Sequence, residues 1–106
     1  MSLYINGKAI NFNSEIKKVT NNQETISIAK TCLINGFTFY AGNKEISDSP
    51  VGARTFLVYT ANTGFVVYGT YVYQIIFTDW NEIWYRAAWQ GMDAIEKAQW
   101  NLIANK

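Results

Sequence analysis

The stretch TFLVYTANTGFVVYGTYVYQIIFTDWNEIWYRAAW, residues 55 to 89, decides the fold class. Segments rich in β-branched and aromatic residues alternate in it with short groups of turn-forming residues, and these segments are 55–60, 64–77 and 82–89. Such a composition is typical of strands joined by turns. The middle segment is too long and too apolar for one simple strand, and Gly69 predicts a bulge or sharp bend that divides it.

The sequence before this stretch continues the pattern. Residues 36–42, GFTFYAG, alternate their side chains as a strand does, and residues 25–34, TISIAKTCLI, are also predicted to be extended. Between the stretches, residues 43–52 have the composition of a loop. Asn6-Gly7 stands between two short apolar segments and predicts a β-hairpin. The polar residues 11–25 predict a connector, either a loop or a short helical turn.

The C-terminal segment fits two interpretations. Asp93 and Glu96 are spaced as a capping box with Asp93 as the N-cap, and the apolar spacing after them predicts a short helix over 94–104. The segment 100–103, WNLI, would serve equally as a closing strand. Strands with a turn signal about every ten residues indicate an all-β domain, a small sandwich or barrel, with one short C-terminal helix in the first interpretation.

The composition of the 106 residues disfavours several classes of protein. The net charge is +1 and the nine cations are scattered, so the basic patch of a nucleic-acid binder is missing. With no histidine and one cysteine, Cys32, we expect neither a metal site nor a cofactor, and no Ser-His or Cys-His nucleophile pair. Without an apolar run of roughly 20 residues or the pattern of a signal peptide, we expect synthesis in the cytoplasm and no membrane insertion.

Three of the four tryptophans lie within residues 79–89 and suggest a binding surface. In a strand over 82–86, Trp84 shares a face with Glu82 and Arg86. Ile83 and Tyr85 are then predicted to face the core.

An exposed indole can stack on the C–H surface of a sugar, and neighbouring charged groups can bind the hydroxyls. The candidate ligand-binding residues are therefore Trp80, Trp84, Arg86, Asp79 and Glu82. The alternative is that Trp84 caps the sheet edge or packs between subunits. Asp79 and Glu82 are also a carboxylate pair, but two acids at this spacing are common and the chain has little room to enclose a substrate, so we expect no enzyme.

Six features in a fixed order carry a family resemblance. They are a Gly-aromatic-Tyr opening, a polar loop with a proline, two apolar strands, a Trp-Tyr-Arg strand and a final Trp, at residues 36–40, 47–50, 56–59, 72–77, 83–86 and 100. Over roughly residues 25–106 the chain resembles the knob domains at the tips of bacteriophage and pyocin tail fibres. Residues 1–24 would then be an N-terminal hairpin and connector before the knob-like domain.

The resemblance implies a homotrimeric domain of a phage or tailocin tail that binds a saccharide on the host cell surface and contacts other tail proteins. The chain would be an excised tip domain or a small separate tail protein. The resemblance also offers a second role for Arg86, a structural pair with a buried carboxylate. Two other functions stay open: an assembly protein of the virion tail without a ligand of its own, and a stand-alone carbohydrate-binding module.

Overall fold

A computed structural model describes residues 2–5, 8–11, 15–21, 24–42, 45–51, 55–64 and 70–104. These residues form eight strands and two short helices. In chain order they are β1 Ser2–Ile5, β2 Lys8–Asn11, β3 Lys17–Asn21, α1 Ile28–Thr31, β4 Gly36–Gly42, β5 Phe56–Asn62, β6 Val72–Thr78, β7 Ile83–Ala88, α2 Met92–Lys97 and β8 Asn101–Ala104.

Six of the strands form one sheet in the order β3-β4-β5-β6-β7-β8. From β4 to β8 each strand pairs antiparallel with the next, as a meander. The edge strand β3 pairs parallel with β4, which requires the chain to cross over between them, and α1 lies in that crossover. Strands β1 and β2 form a separate two-stranded antiparallel sheet.

The predicted fold class is confirmed, since the domain is mostly β with a short helix near its C-terminus. Strands predicted at 36–42, 55–60 and 82–89 are present, as are the last part of the apolar run 64–77 and the two paired strands of the N-terminal hairpin. The Asn6-Gly7 turn predicted between those two strands lies outside the described residues. Gly69 and its predicted bulge lie outside the described residues. The division of the chain near residue 24 stays a prediction.

One face of the six-stranded sheet carries the core, and we call it the covered face. Its buried apolar cluster joins the central strands to α1 and to the loop 45–51, and consists of Ile28, Tyr40, Ile46, Phe56, Val58 and Ile76. Ile95 of α2 is also completely buried. Both helices therefore lie on the same side of the sheet, and the strands alternate buried and half-buried residues accordingly.

The prediction that residues 25–34 are extended was wrong, because α1 forms inside them. Ser27 is its N-cap, and its hydroxyl accepts a hydrogen bond from the Lys30 backbone N–H at 3.1 Å. Asp48, in the loop 45–51, accepts hydrogen bonds from two more backbone N–H groups of the helix, those of Ile28 and Ala29. The β pairing of residues 25–34, all of which the structure describes, is a single bridge between Ile26 and Ile46.

Two further details of the sequence interpretation differ from the structure. The connector 11–25 contains strand β3, whose partner β4 is remote in sequence. Helix α2 begins at Met92 with Gly91 as the N-cap, so Asp93 lies in the first turn and is not the cap. The two interpretations of the C-terminal segment are both realised in part, because the helix ends at Lys97 and β8 follows it.

Candidate functional site

Arg86 stands at the centre of a buried polar network on the covered face. Its Nη2 donates to Asp48 Oδ2 at 2.7 Å, and the two side chains are 1% and 5% exposed. Its Nε donates to Gln74 Oε1 at 2.8 Å, and the Gln74 amide donates to Thr60 Oγ1 at 3.0 Å. Burial lowers the pKa of Arg86 from its ordinary value, and the hydrogen bond with Asp48 opposes that effect.

Asp48 connects this network to the helices and the C-terminal segment. Its carboxylate also accepts the backbone N–H groups of Ile28 and Ala29, at 2.6 and 3.1 Å. Its carbonyl accepts the indole N–H of Trp100 at 2.6 Å, and the Arg86 guanidinium lies 4.4 Å from the centre of that ring. Asp48 thus connects four parts of the fold at one point, which are the loop 45–51, α1, the six-stranded sheet and the segment before β8.

The face predicted for Trp84 and Arg86 was wrong. Both side chains point to the covered face, where Arg86 is buried and Trp84 packs against the apolar cluster. Tyr85, which was expected to face the core, is 43% exposed on the opposite face. The reason is that Asp48, 38 residues away, compensates the buried charge of Arg86, so the local pattern of charges misleads. Arg86 has the structural role that the resemblance offered.

The other three candidate residues lie together in the turn between β6 and β7, residues 78–82, which we call the Trp80 turn. Trp80 is 62% exposed, and Asp79 is also exposed. Thr78 holds the turn, since its Oγ1 accepts the backbone N–H groups of Trp80 and Glu82 at 3.3 and 3.1 Å and contacts Glu82 Oε1 at 3.3 Å. Asn81 takes a left-handed conformation with φ 63°, which asparagine tolerates better than most residues.

The Trp80 turn is closed by backbone hydrogen bonds as well. The Thr78 N–H donates to Glu82 O at 2.9 Å, and the Asp79 N–H donates to Thr55 O at 3.4 Å, which ties the turn to the start of β5. A large aromatic ring is therefore presented from a backbone of fixed geometry with two carboxylates beside it. Such a surface can stack on a planar apolar face and accept hydrogen bonds from hydroxyl groups.

A second surface, which the sequence interpretation missed, is the side of β4–β7 opposite the covered face. We call it the open face. Its side chains are aromatic or aliphatic, and nine of the twelve are large: they are Phe37, Phe39, Ala41, Leu57, Tyr59, Ala61, Tyr73, Ile75, Phe77, Ile83, Tyr85 and Ala87. Four of the aromatic residues are substantially exposed, with Tyr73 at 49% and Tyr85 at 43%. The open face has a signal in the sequence, because β5 and β6 carry aromatic and apolar residues on both of their faces.

A shallow cavity lies on the open face between its tyrosines. Its volume is about 260 Å³, and it is lined by Tyr59, Ala61, Tyr73, Gln74, Ile75, Tyr85 and Arg86. The volume is close to the lower end of the range for small-molecule sites.

Within the described ranges, no three acidic or cysteine side chains group as a metal site would require. Neither helix in this part of the chain has the length and apolar character needed to cross a bilayer. Comparisons of the chain with protein-family models, with curated proteins and with solved structures give no match.

Proposed function

We propose that this chain is a receptor-binding domain of a bacteriophage or tailocin tail, and that it binds a saccharide on the host cell surface through the Trp80 turn. The order of motifs that resembles tail-fibre knob domains supports the phage context. The exposure of Trp80 on a turn of fixed geometry is the observation that carries the binding role. The proposal assigns binding and no reaction to the domain.

Three side chains have roles in the proposed site. The indole of Trp80 stacks on the apolar face of a sugar ring, while Asp79 and Glu82 accept hydrogen bonds from its hydroxyl groups. Trp84 and Arg86 take no part in it, because they are directed to the covered face.

The proposed site is shallow, so each copy would bind weakly. Three copies in a homotrimer, as the resemblance implies, would raise the effective affinity by about 10²-fold or more without any new contact. The domain would act on the virion tail together with other tail proteins, after synthesis in the bacterial cytoplasm.

Two matched tryptophan variants test the saccharide site. Trp80 precedes β7 and Trp89 follows it, and both are more than half exposed. After an array of bacterial surface saccharides has identified a ligand, calorimetry would compare Trp80→Ala with Trp89→Ala. We expect Trp80→Ala to weaken binding about tenfold or more and Trp89→Ala to leave it unchanged. Equal effects of the two variants, or none, would show that the Trp80 turn is not the site.

A structural protein of the virion tail is the second candidate function, and the open face favours it. An uncovered apolar surface is typical of a domain that packs against other proteins. Absence of binding to every saccharide on the array, together with stable incorporation into tail particles, would favour this role over receptor binding.

A further inference from the structure

We propose that the saccharide bound at the Trp80 turn is a polymer whose chain continues along the β6–β7 part of the open face. Phe77, Tyr85 and Tyr73 would carry the chain there, and we call these three residues the aromatic track. The inference rests on the proposed function and adds to it the class of saccharide, which is a neutral chain of several linked sugar rings and not a single terminal sugar.

The strand register places the side chains of the aromatic track in one row. Phe77 pairs with Ile83 and Tyr73 pairs with Ala87, so Tyr85 lies between these two pairs on β7. Each step of the track therefore joins diagonal neighbours, which are about 7–8 Å apart in an antiparallel pair. All three side chains belong to the same face of the sheet, and the row extends roughly 14 Å along the strands.

The aromatic track begins beside the Trp80 turn. That turn joins β6 to β7, and Phe77 is the last open-face residue of β6 before it. The exposed fractions along this line are 62% for Trp80, 40% for Phe77, 43% for Tyr85 and 49% for Tyr73. A ligand held at Trp80 alone would leave the track in water, whereas an extended chain that starts at Trp80 would cover the track as well.

The chemistry of the aromatic track matches a neutral carbohydrate chain. An aromatic ring can stack on the C–H surface of a sugar, and a tyrosine hydroxyl can also exchange hydrogen bonds with the hydroxyl groups of the sugar. None of the open-face residues of β4–β7, all of which the structure describes, is charged. An acidic polysaccharide would lose the hydration of its charges there without gaining a partner for them, so an uncharged chain fits better.

The size of the open face favours a saccharide over a protein. Strands β4–β7 at a spacing of about 4.8 Å, each about 20 Å long, cover roughly 400 Å² when treated as flat. A standard protein interface buries about 800 Å² on each partner, which is more than this face offers. A chain that is one sugar ring wide needs only the β6–β7 part of it.

The shape of the open face supports a ligand at the far end of the aromatic track. The cavity of about 260 Å³ lies between Tyr73 and Tyr85, the last two residues of the track, and Tyr59 closes it on the side of β5. Concave places lined by aromatic side chains are where ligands bind most often. The track thus has an exposed indole at one end and a shallow cavity at the other.

Calorimetry with saccharide fragments of graded length tests the proposal. The probes are fragments of one to six sugar rings, prepared from the neutral polysaccharide that gives the strongest signal on the array of bacterial surface saccharides. We expect the longest fragment to bind the wild type about tenfold or more tightly than the single ring, because the aromatic track adds further stacking contacts.

Variants of the two exposed tyrosines locate the added contacts. Tyr73→Ala and Tyr85→Ala should each weaken binding of the longest fragment about fivefold or more and leave binding of the single ring unchanged. Tyr73→Phe keeps the ring and should retain most of the affinity. Leu102→Ala is the matched control, because Leu102 is 44% exposed but pairs with Trp84 and so belongs to the other side of the sheet. Circular dichroism would verify that the variants are folded.

The outcomes separate this inference from the proposed function. Equal affinity for all fragment lengths, with both tyrosine-to-alanine variants like the wild type, would overturn the polymer track, while a loss in Trp80→Ala would still support the Trp80 turn. A loss in the tyrosine variants with none in Trp80→Ala would contradict both proposals, as would the absence of any saccharide ligand. The strongest array signal from an acidic polysaccharide would refute the neutral chain. Self-association of the full chain that Tyr73→Ala and Tyr85→Ala both abolish would show that protein covers the open face instead.

Discussion

Asp48 is a residue whose single carboxylate determines how several parts of the molecule are held together. It accepts hydrogen bonds from two backbone N–H groups of α1 and from Arg86, and it is itself 5% exposed. A buried ion pair of this kind contributes little net stability compared with an apolar pair of the same shape, but loss of one partner leaves the other charge buried and uncompensated. The pair therefore makes the covered face sensitive to single substitutions.

This sensitivity leads to a prediction for Arg86→Met. We expect the variant to lose about 3–5 kcal/mol in the free energy of unfolding, because the Asp48 carboxylate remains buried without its cation. Urea denaturation followed by circular dichroism measures the loss. The control is Lys30→Met, which removes an exposed cation 4.0 Å from Glu96 and should cost less than about 1 kcal/mol. Similar losses in the two variants would contradict the role given to the Arg86–Asp48 pair.

Tyr40 gives a prediction for alkaline pH. Its hydroxyl lies 2.8 Å from Thr31 Oγ1 in the core, and burial raises the pKa of Tyr40 above its ordinary value. In the unfolded chain a tyrosine ionises near pH 10, whereas the folded protein keeps the proton, so the stability that Tyr40 contributes is complete below about pH 10 and falls above it. Denaturation between pH 8 and 11 should show a steeper fall for the wild type than for Tyr40→Phe. Parallel curves would contradict the prediction.

The sequence predicted which residues are important better than it predicted what those residues contact in the folded chain. It singled out Arg86 and Trp84, but alternation along a strand defines two faces without saying which one is covered. In β7 both faces carry an aromatic residue, so hydrophobicity does not distinguish them. The deciding fact is the position of Asp48, which depends on how a loop before β5 packs on the sheet.

Among the elements, the Trp80 turn is the one whose geometry the proposed function needs. Its two flanking strands pair in register from Val72–Ala88 to Phe77–Ile83, which fixes the ends of the turn. The Thr78 hydroxyl then accepts two backbone N–H groups inside it. Orientation of the indole thus depends on a side chain that would not itself touch the ligand.

The variant Thr78→Val tests whether the orientation of the Trp80 indole depends on the Thr78 hydroxyl. Valine has nearly the same shape but accepts no hydrogen bond, so two backbone N–H groups lose their partner at a cost of about 1–2 kcal/mol in the free energy of unfolding. We expect saccharide affinity to fall several-fold in Thr78→Val and to be kept in Thr78→Ser, which retains the hydroxyl. Calorimetry with the saccharide found for the wild type measures both. Unchanged affinity in Thr78→Val would show that the turn holds Trp80 without Thr78.

The elements that sequence patterns predicted well are the ones with enough residues to show a period. Strands β4, β5 and β7 have six or seven residues each and a local turn signal beside them. Helix α1 has four residues, too few for a helical period, and it depends on Ser27 and on the distant Asp48 for its first turn. Strand β3 is defined by its parallel pairing with β4, which no local pattern contains.

In the part of the chain that the structure describes, the six-stranded sheet has both helices on one side and an apolar surface on the other. That arrangement explains the low charged fraction, which is 16% in a chain of 106 residues where about 25% is usual. A short chain buries only about two-thirds of its surface, so a large apolar fraction on the outside is expected to serve an interface.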